Sequence, residues 1–202
     1  MEPFILSAGT LTLDQPTTAD VATITEYCQD PVFEHFLTLP WPYRSAHAEF
    51  FVNEYVPRGW ASGDEVTWAL REPDGAFLGV VGLRAHSAMI GFWLGAPHRG
   101  HGYMPLAVSA VADWTFESDY AGLDAIRWEA VRGNTASLAV ARKTGFSYTG
   151  TGPALVTARD GSSPPSWQAV LHAGDDRTPK PGWPALHVDE IGVNEFDGDP
   201  VG

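Results

Sequence analysis

The sequence is poor in cysteine and has no long apolar run. Cys28 is its single cysteine, so no disulfide can form within the chain. No apolar run approaches the roughly 18 residues that a membrane-spanning helix needs. The opening residues, MEPFILSAGT, lack the basic start and long apolar core of a secretion signal. These absences predict a cytoplasmic protein that does not enter a membrane.

Basic residues are also scarce. The chain has 12 Lys and Arg against 25 Asp and Glu, which gives a net charge of −13. Such a surface repels phosphates, which argues against general nucleic-acid binding. It attracts cationic small molecules or basic peptides, although solubility alone is an alternative reason for the charge.

The overall composition is that of a globular protein: 44% of the 202 residues are hydrophobic. The length suits one domain. Apolar alternation predicts strands, which we place over 10–13, 66–72, 76–85, 88–95, 125–131, 146–150 and 166–173. Helical spacing predicts helices, which we place over 17–28, 45–56, 105–118 and 134–145. Pro57 is expected to stop the second helix, and 30–45 to be mostly loop because of its three prolines. The class is α+β, with a largely antiparallel sheet, one parallel crossover and flanking helices.

The stretch GAPHRGHGYMPLAV, residues 95–108, joins a predicted strand to a predicted helix. The first N–H groups of a helix lack internal partners and favour an anion. Gly100 and Gly102 would let the backbone close around a phosphate, and Arg99 adds a charged donor or simply lies in solvent. An ordinary turn is the alternative. Pro105 occupies the position where a dinucleotide-binding fingerprint needs its third glycine.

A second motif, VRGNTASLAVARKTGFSYTG, follows at residues 131–150. Together with Ile90–Leu94 and Arg99–Met104, it resembles the GNAT N-acetyltransferases, specifically the RimJ/RimL-type branch. The resemblance implies the GNAT fold, in which two central strands splay apart and acetyl-CoA lies between them. It also implies a set of cofactor-binding residues, namely Phe92, Trp93, Leu94, Arg99, Gly100, His101, Gly102, Tyr103, Met104 and Asn134. Asn134 could equally act only as a helix cap.

The resemblance also bears on the catalytic residues. Many GNAT enzymes have a Tyr at the position of Ala141, and the RimJ/RimL-type branch is thought to use the Ser that maps to Ser137. That hydroxyl would hydrogen-bond the departing sulfur, or else only satisfy the backbone of its helix. Met89 lies near the place of a catalytic Glu found in some members. The candidate bases that remain are His86, Glu34, His35 and Glu129.

Two segments are expected to set substrate specificity, 34–45 and 150–167. Trp41 and Tyr43 are predicted to line an amine pocket, or alternatively to cover the edge of the core. His98 and His101 have no Cys, Asp or Glu at ligand spacing, so we expect no metal.

These features predict one GNAT domain over 1–173 and an acidic tail over 174–202. The tail is expected to dock in part on the body or on a second subunit, since it carries large apolar side chains, namely Trp183, Leu186, Ile191, Val193 and Phe196. A homodimer is left open.

The predicted function is transfer of acetyl from acetyl-CoA to a primary amine, such as a protein N-terminus, an antibiotic or a small metabolite. The alternatives are a non-catalytic acyl-CoA-binding module and the same fold with a longer donor such as succinyl-CoA.

Overall fold

An eight-stranded mixed sheet organises the computed structural model, which describes residues 1–185. The strands are β1 (Leu6–Ala8), β2 (Leu11–Asp14), β3 (Glu65–Arg71), β4 (Phe77–Arg84), β5 (Met89–Leu94), β6 (Ala125–Val131), β7 (Ser147–Pro153) and β8 (Pro165–His172). Their spatial order is β1-β2-β3-β4-β5-β6-β8-β7. Every neighbouring pair is antiparallel except β5 and β6, which are parallel. The predicted class and its one parallel crossover are confirmed.

Six α-helices flank this sheet in the described part of the chain. They are α1 (Val21–Tyr27), α2 (Pro31–Phe36), α3 (Ser45–Phe50), α4 (Val56–Ser62), α5 (Tyr103–Glu117) and α6 (Thr135–Lys143). None of the helices in residues 1–185 is long and apolar enough to cross a membrane.

The structure corrects three local predictions. The first strand is a hairpin of two short strands, β1 and β2, which turns at Gly9 with φ +65°. Helix α2 occupies part of the segment predicted as loop: Pro31 is tolerated in the first turn, and the Asp30 carboxylate accepts the Val32 N–H at 3.0 Å. Pro57 does not end a helix: α4 begins at Val56, directly after a π-helical turn, Phe51–Tyr55, and continues through Pro57, in its first turn, to Ser62.

Two apolar cores lie in the structure. The larger contains residues of the sheet and of α5 and α6, with Trp68 and Trp128 almost fully buried. The smaller contains Ile24 of α1 and Ala48 of α3. Cys28 lies in this second core with 1% of its surface exposed, and burial raises the pKa of its thiol to about 12. The prediction that Cys28 is a core residue is confirmed.

The start of the predicted tail contacts the body. Arg177 pairs with Asp113 of α5 at 2.7 Å, and Trp183 packs against Trp128 and Tyr148. The other apolar residues of the tail prediction lie outside the described residues; these are Leu186, Ile191, Val193 and Phe196.

Candidate functional site

The central feature is the separation of β5 from β6. These strands share a single ladder pair, Met89 with Arg127, whereas β5 shares six with β4 and β6 shares seven with β8. Beyond that pair they diverge and leave a cleft of about 90 Å³. Its lining residues are Phe36, Leu37, Ile90, Gly91, Phe92, Trp128, Glu129, Ala130, Asn134 and Ser137. The predicted splay of the central strands is therefore present.

Strand alternation decides which backbone groups of β5 face the cleft. The carbonyl of Ala88 accepts from Arg127 of β6 at 2.7 Å, while the Gly95 N–H donates to Leu78 beside β4 at 2.9 Å. Because successive residues point their N–H and C=O groups to opposite edges, Ile90 and Phe92 point theirs towards β6. The parallel bridge of Met89 with Arg127 uses the Ile90 N–H, so the Ile90 carbonyl and both backbone groups of Phe92 are left for the cleft. Trp93 presents its carbonyl to β4, where it lies 2.1 Å from a Cβ built on Gly79. The structure therefore does not bring the backbone of Trp93 to the open edge, contrary to expectation.

The glycine-rich loop lies at the end of β5. Gly100 and Gly102 both have φ +82°, and a Cβ built on either meets nothing within 4 Å. Gly102 is the N-cap of the 15-residue helix α5 and supplies no side chain. Among the described residues, no N–H of 100–104 donates to a carbonyl outside its own helix. The loop thus combines unpaired amides with open space, which suits an anion.

Arg99 does not point into this open space. Its Nε donates to the Leu94 carbonyl at 3.1 Å, its Nη1 pairs with Asp30 at 2.7 Å, and the guanidinium lies 5.1 Å from the centre of the Phe33 ring. Its Nη2 is buried without a partner in the described residues. Arg99 therefore ties the loop to α2, and one donor is left for a ligand. Neither predicted alternative, a free phosphate donor or a solvated side chain, describes it.

The other predicted loop residues divide between protein contacts and free amides. The His101 ring stacks on Tyr103 at 5.5 Å, and the Tyr103 hydroxyl donates to Glu72 at 2.5 Å, which raises the pKa of that phenol. The Met104 side chain is buried with 3% exposed, so only its backbone belongs to the loop surface. His98 shares a hydrogen bond of 2.8 Å with the Tyr27 hydroxyl.

Ser137 lines the cleft on the β6 side, in the first turn of α6. Its backbone N–H donates to Asn134 Oδ1 at 3.1 Å, so Asn134 caps the helix. Its Oγ accepts the indole N–H of Trp128 at 3.0 Å. A hydroxyl that accepts one hydrogen bond still has its own hydrogen to donate. Ser137 is therefore oriented by the protein and keeps a donor.

Glu129, also on β6, and Arg159 make contacts with the two segments expected to set specificity. The Glu129 carboxylate accepts the N–H groups of Leu155 and Val156, both at 2.8 Å. Arg159 donates to the carbonyls of Leu39 at 2.8 Å and Leu37 at 3.2 Å, and also to that of Glu34. We call these contacts of Arg159 the 34–39 clasp. It holds the β7–β8 hairpin against the chain that follows α2.

Several predicted residues are not among those that line the cleft. Tyr43 is packed in the second core with 5% exposed, and burial raises the pKa of its phenol. Trp41 precedes a cis proline and is not among the lining residues. His86 lies in the β4–β5 turn, at the other end of β5 from the glycine-rich loop. Glu34 and His35 lie on α2. Within residues 1–185, no cluster of His, Cys, Asp and Glu could hold a metal.

Sequence reasoning missed the role of Arg159 and assigned Glu129 only as a candidate base. The clasp joins residues at least 120 positions apart, which no local pattern reveals. The Leu155 and Val156 amides lie more than 25 positions from Glu129.

A family model described as an acetyltransferase (GNAT) domain matches residues 10–147. No curated protein matches the sequence.

Solved structures share the fold at low identity. The structure of RimJ from Mycobacterium smegmatis with a CoA disulfide has a TM-score of 0.69 and 19% identity, covering 85% of this chain and 86% of that one. An acetyltransferase from Salmonella typhimurium that modifies the N-terminal serine of a 50S ribosomal protein has a TM-score of 0.71 and 16% identity, covering 84% and 99%. A ribosomal-protein-alanine acetyltransferase from Vibrio fischeri has a TM-score of 0.68 and 16% identity, covering 87% and 100%.

Proposed function

The chain belongs to the GNAT acetyltransferase family, and from that premise we propose that it transfers the acetyl group of acetyl-CoA to a primary amine. The observation that carries the proposal is the cleft between β5 and β6. It places the open backbone edge of Ile90 and Phe92 opposite the hydroxyl of Ser137. The same strand, β5, leads directly into the loop with unpaired amides.

The residues present fit the CoA portion of the donor. The free N–H groups from Gly100 to Met104 and the dipole of α5 would hold the pyrophosphate. The carbonyls of Ile90 and Phe92 would accept from amide N–H groups of the pantetheine arm, which would lie as an extra strand in the cleft.

We propose direct attack of a neutral amine. The donor supplies an acetyl group activated as a thioester. The Phe92 N–H, on the open edge, would donate to the acetyl oxygen as negative charge develops there. The hydroxyl of Ser137 would donate to the sulfur as the C–S bond breaks and the N–C bond forms. The proton lost by the amine nitrogen balances the charge of the departing thiolate, either directly or through solvent.

We propose the α-amine of a protein or peptide N-terminus as the acceptor. Glu129 is the one carboxylate that lines the cleft in the described residues, and both its oxygens already accept backbone N–H groups. A site without a free base favours an amine with a pKa near 8 over a lysine near 10.4. Two of the structural relatives are named as enzymes that act on ribosomal proteins.

The experiment is thiol release from acetyl-CoA with a panel of amines. Peptides that begin with Ala or Ser should release thiol faster than the same peptides with a blocked N-terminus and a free lysine. Cys28 is buried, so it should contribute little background to the thiol assay. Equal rates with the blocked peptides would contradict the proposed acceptor. CoA binding without release from any amine would favour the non-catalytic module.

A parallel series with succinyl-CoA identifies the donor. We expect acetyl-CoA to be preferred because the family model that matches the chain describes an acetyltransferase. Faster release from succinyl-CoA would assign the longer donor.

A further inference from the structure

Trp183, in the segment after the last strand, touches the residue that orients Ser137. Its ring lies 5.8 Å from that of Trp128, at an interplanar angle of 61°, and 5.4 Å from that of Tyr148. Trp128 is 2% exposed, and its indole N–H is the donor to Ser137 Oγ. Three side chains thus form a continuous row from the C-terminal segment to the cleft.

The segment that carries Trp183 is attached at other points as well. Arg177 pairs with Asp113 of α5 and lies over the Phe116 ring at 5.7 Å. A Cβ built on Gly145, which follows α6, would lie 2.6 Å from the Asp176 carbonyl oxygen. Only a glycine permits this close approach. The path of the chain towards Trp183 is therefore defined by contacts with α5 and with the end of α6.

We infer that Trp183 is a positioning residue for Ser137, acting through Trp128. This inference rests on the proposed role of Ser137 in acetyl transfer. The Trp128 ring can hold its N–H on the serine oxygen only while its rotamer is fixed, and Trp183 packs against that ring. When the oxygen accepts from Trp128, the serine hydrogen is directed to another acceptor. Loss of the Trp183 ring would free Trp128 to turn and would leave the serine hydroxyl unoriented.

The contact depends on the Trp183 ring and not on its polar atom. The indole N–H of Trp183 is buried with no partner in the described residues. A phenylalanine would therefore keep the edge-to-face contact and lose no hydrogen bond. This gives a conservative variant that separates packing from polarity.

The first test compares Trp183→Ala with Trp183→Phe in steady-state acetyl transfer. We expect kcat of the alanine variant to fall about fivefold to tenfold, because small misplacements of a catalytic group are costly. KM for acetyl-CoA should stay within about twofold, since the loss is confined to the transition state. The phenylalanine variant should restore kcat. Ile5→Ala is the control, because Ile5 is 67% exposed and precedes β1, at the opposite edge of the sheet from β7. An equal loss of kcat in Ile5→Ala would overturn the inference.

A double-mutant cycle identifies the route. If Trp183 acts through Ser137, then Trp183→Ala should cause no further loss of kcat in a Ser137→Ala background. A full fivefold to tenfold loss in that background, independent of Ser137, would contradict the inference. If Ser137→Ala alone has the same kcat as the parent protein, the proposed role of Ser137 and this inference are both wrong. The proposal that the parent protein transfers acetyl groups would still stand.

A third readout needs no turnover and so separates this inference from the proposed function. The indole N–H of Trp128 can be observed by NMR in the full chain and assigned with Trp128→Phe. Its exchange with solvent should accelerate in Trp183→Ala and in Ser137→Ala, and stay slow in Trp183→Phe and Ile5→Ala. Unchanged exchange in Trp183→Ala would show that Trp183 does not hold Trp128.

Discussion

The two sides of the cleft are formed by different kinds of chemical group, backbone on one side and side chains on the other. The side that we propose for the donor, from β5 to the start of α5, offers backbone groups: the open edge of Ile90 and Phe92 and the free amides of 100–104. The side that we propose for the acceptor, at 34–39 and the β7–β8 hairpin, is held by the long side chains of Glu129 and Arg159. We call them the donor side and the acceptor side. The geometry of the donor side depends on backbone conformation, and that of the acceptor side depends on contacts of side chains that are distant in sequence. Substitutions should therefore affect the two sides differently.

The largest effect is expected on the donor side. Gly102→Val forces a branched side chain onto a φ of +82° and projects it into the loop. The affinity for CoA should fall by about 30-fold, because one charge-assisted hydrogen bond contributes about 2 kcal/mol. Isothermal titration with CoA measures it.

Gly122→Val is the matched control for Gly102→Val. Gly122 has φ +66° and the same open surroundings, but lies after α5, at the far end from the loop. Gly122→Val should lower the free energy of unfolding by a similar amount and leave the affinity for CoA unchanged. Equal weakening by both variants would remove the phosphate assignment.

Local rules predicted the elements of the donor side well. Apolar alternation located β5 and β6, and the glycine pair located the loop before α5, because these features are set within a few residues. The binding of an anion by this loop stays a proposal. Trp93 was assigned incorrectly because alternation alone does not say which residues face β4. The pairing with β4 decides that, and it assigns the open edge to Ile90 and Phe92.

Features outside β5, β6 and the glycine-rich loop were predicted less well, because they depend on position within a helix or on tertiary packing. Proline was taken as a helix breaker at 31 and 57, yet its effect depends on position: it is tolerated in a first turn and after a π-helical turn. Tyr43 was expected in the amine pocket, but it packs beside Cys28 in the second core. The 34–39 clasp joins distant parts of the chain and depends on tertiary packing.

The next largest effect concerns the shared centre of the cleft. Ser137→Ala removes the hydroxyl that we propose to donate to the sulfur. We expect kcat to fall about tenfold with little change in KM for acetyl-CoA, as for a contact made in the transition state. Steady-state kinetics measures both. A rise in KM with kcat unchanged would make Ser137 a donor-binding residue only.

A smaller effect is expected on the acceptor side. Arg159→Ala releases the hairpin from the carbonyls of Leu37 and Leu39. KM for the peptide amine should rise about threefold to fivefold, because the clasp is exposed and exposed contacts are weak. CoA affinity should not change. Arg58→Ala, whose side chain is 73% exposed on α4, is the control. A loss of CoA affinity in Arg159→Ala would mean that the two sides are not separable.

The smallest expected effect tests whether the second core, which contains Cys28, stays closed to solvent. The Cys28 thiol has a pKa raised by burial to about 12, so at pH 8 it is protonated and unreactive. Native protein should react with an alkylating reagent far more slowly than unfolded protein, and CoA should not change the rate. Fast labelling of native protein at pH 8 would show that the second core opens to solvent.

The central claim is that the donor lies on the open edge of β5 with its pyrophosphate on the glycine-rich loop. The most direct measurement is an NMR titration of the 15N-labelled protein with CoA. The account predicts that the largest amide shifts fall on Ile90, Phe92 and residues 100–104, with small shifts at Gly91, Trp93 and the β7–β8 hairpin. Shifts centred on Trp93 and the hairpin, or none at the glycine-rich loop, would contradict it.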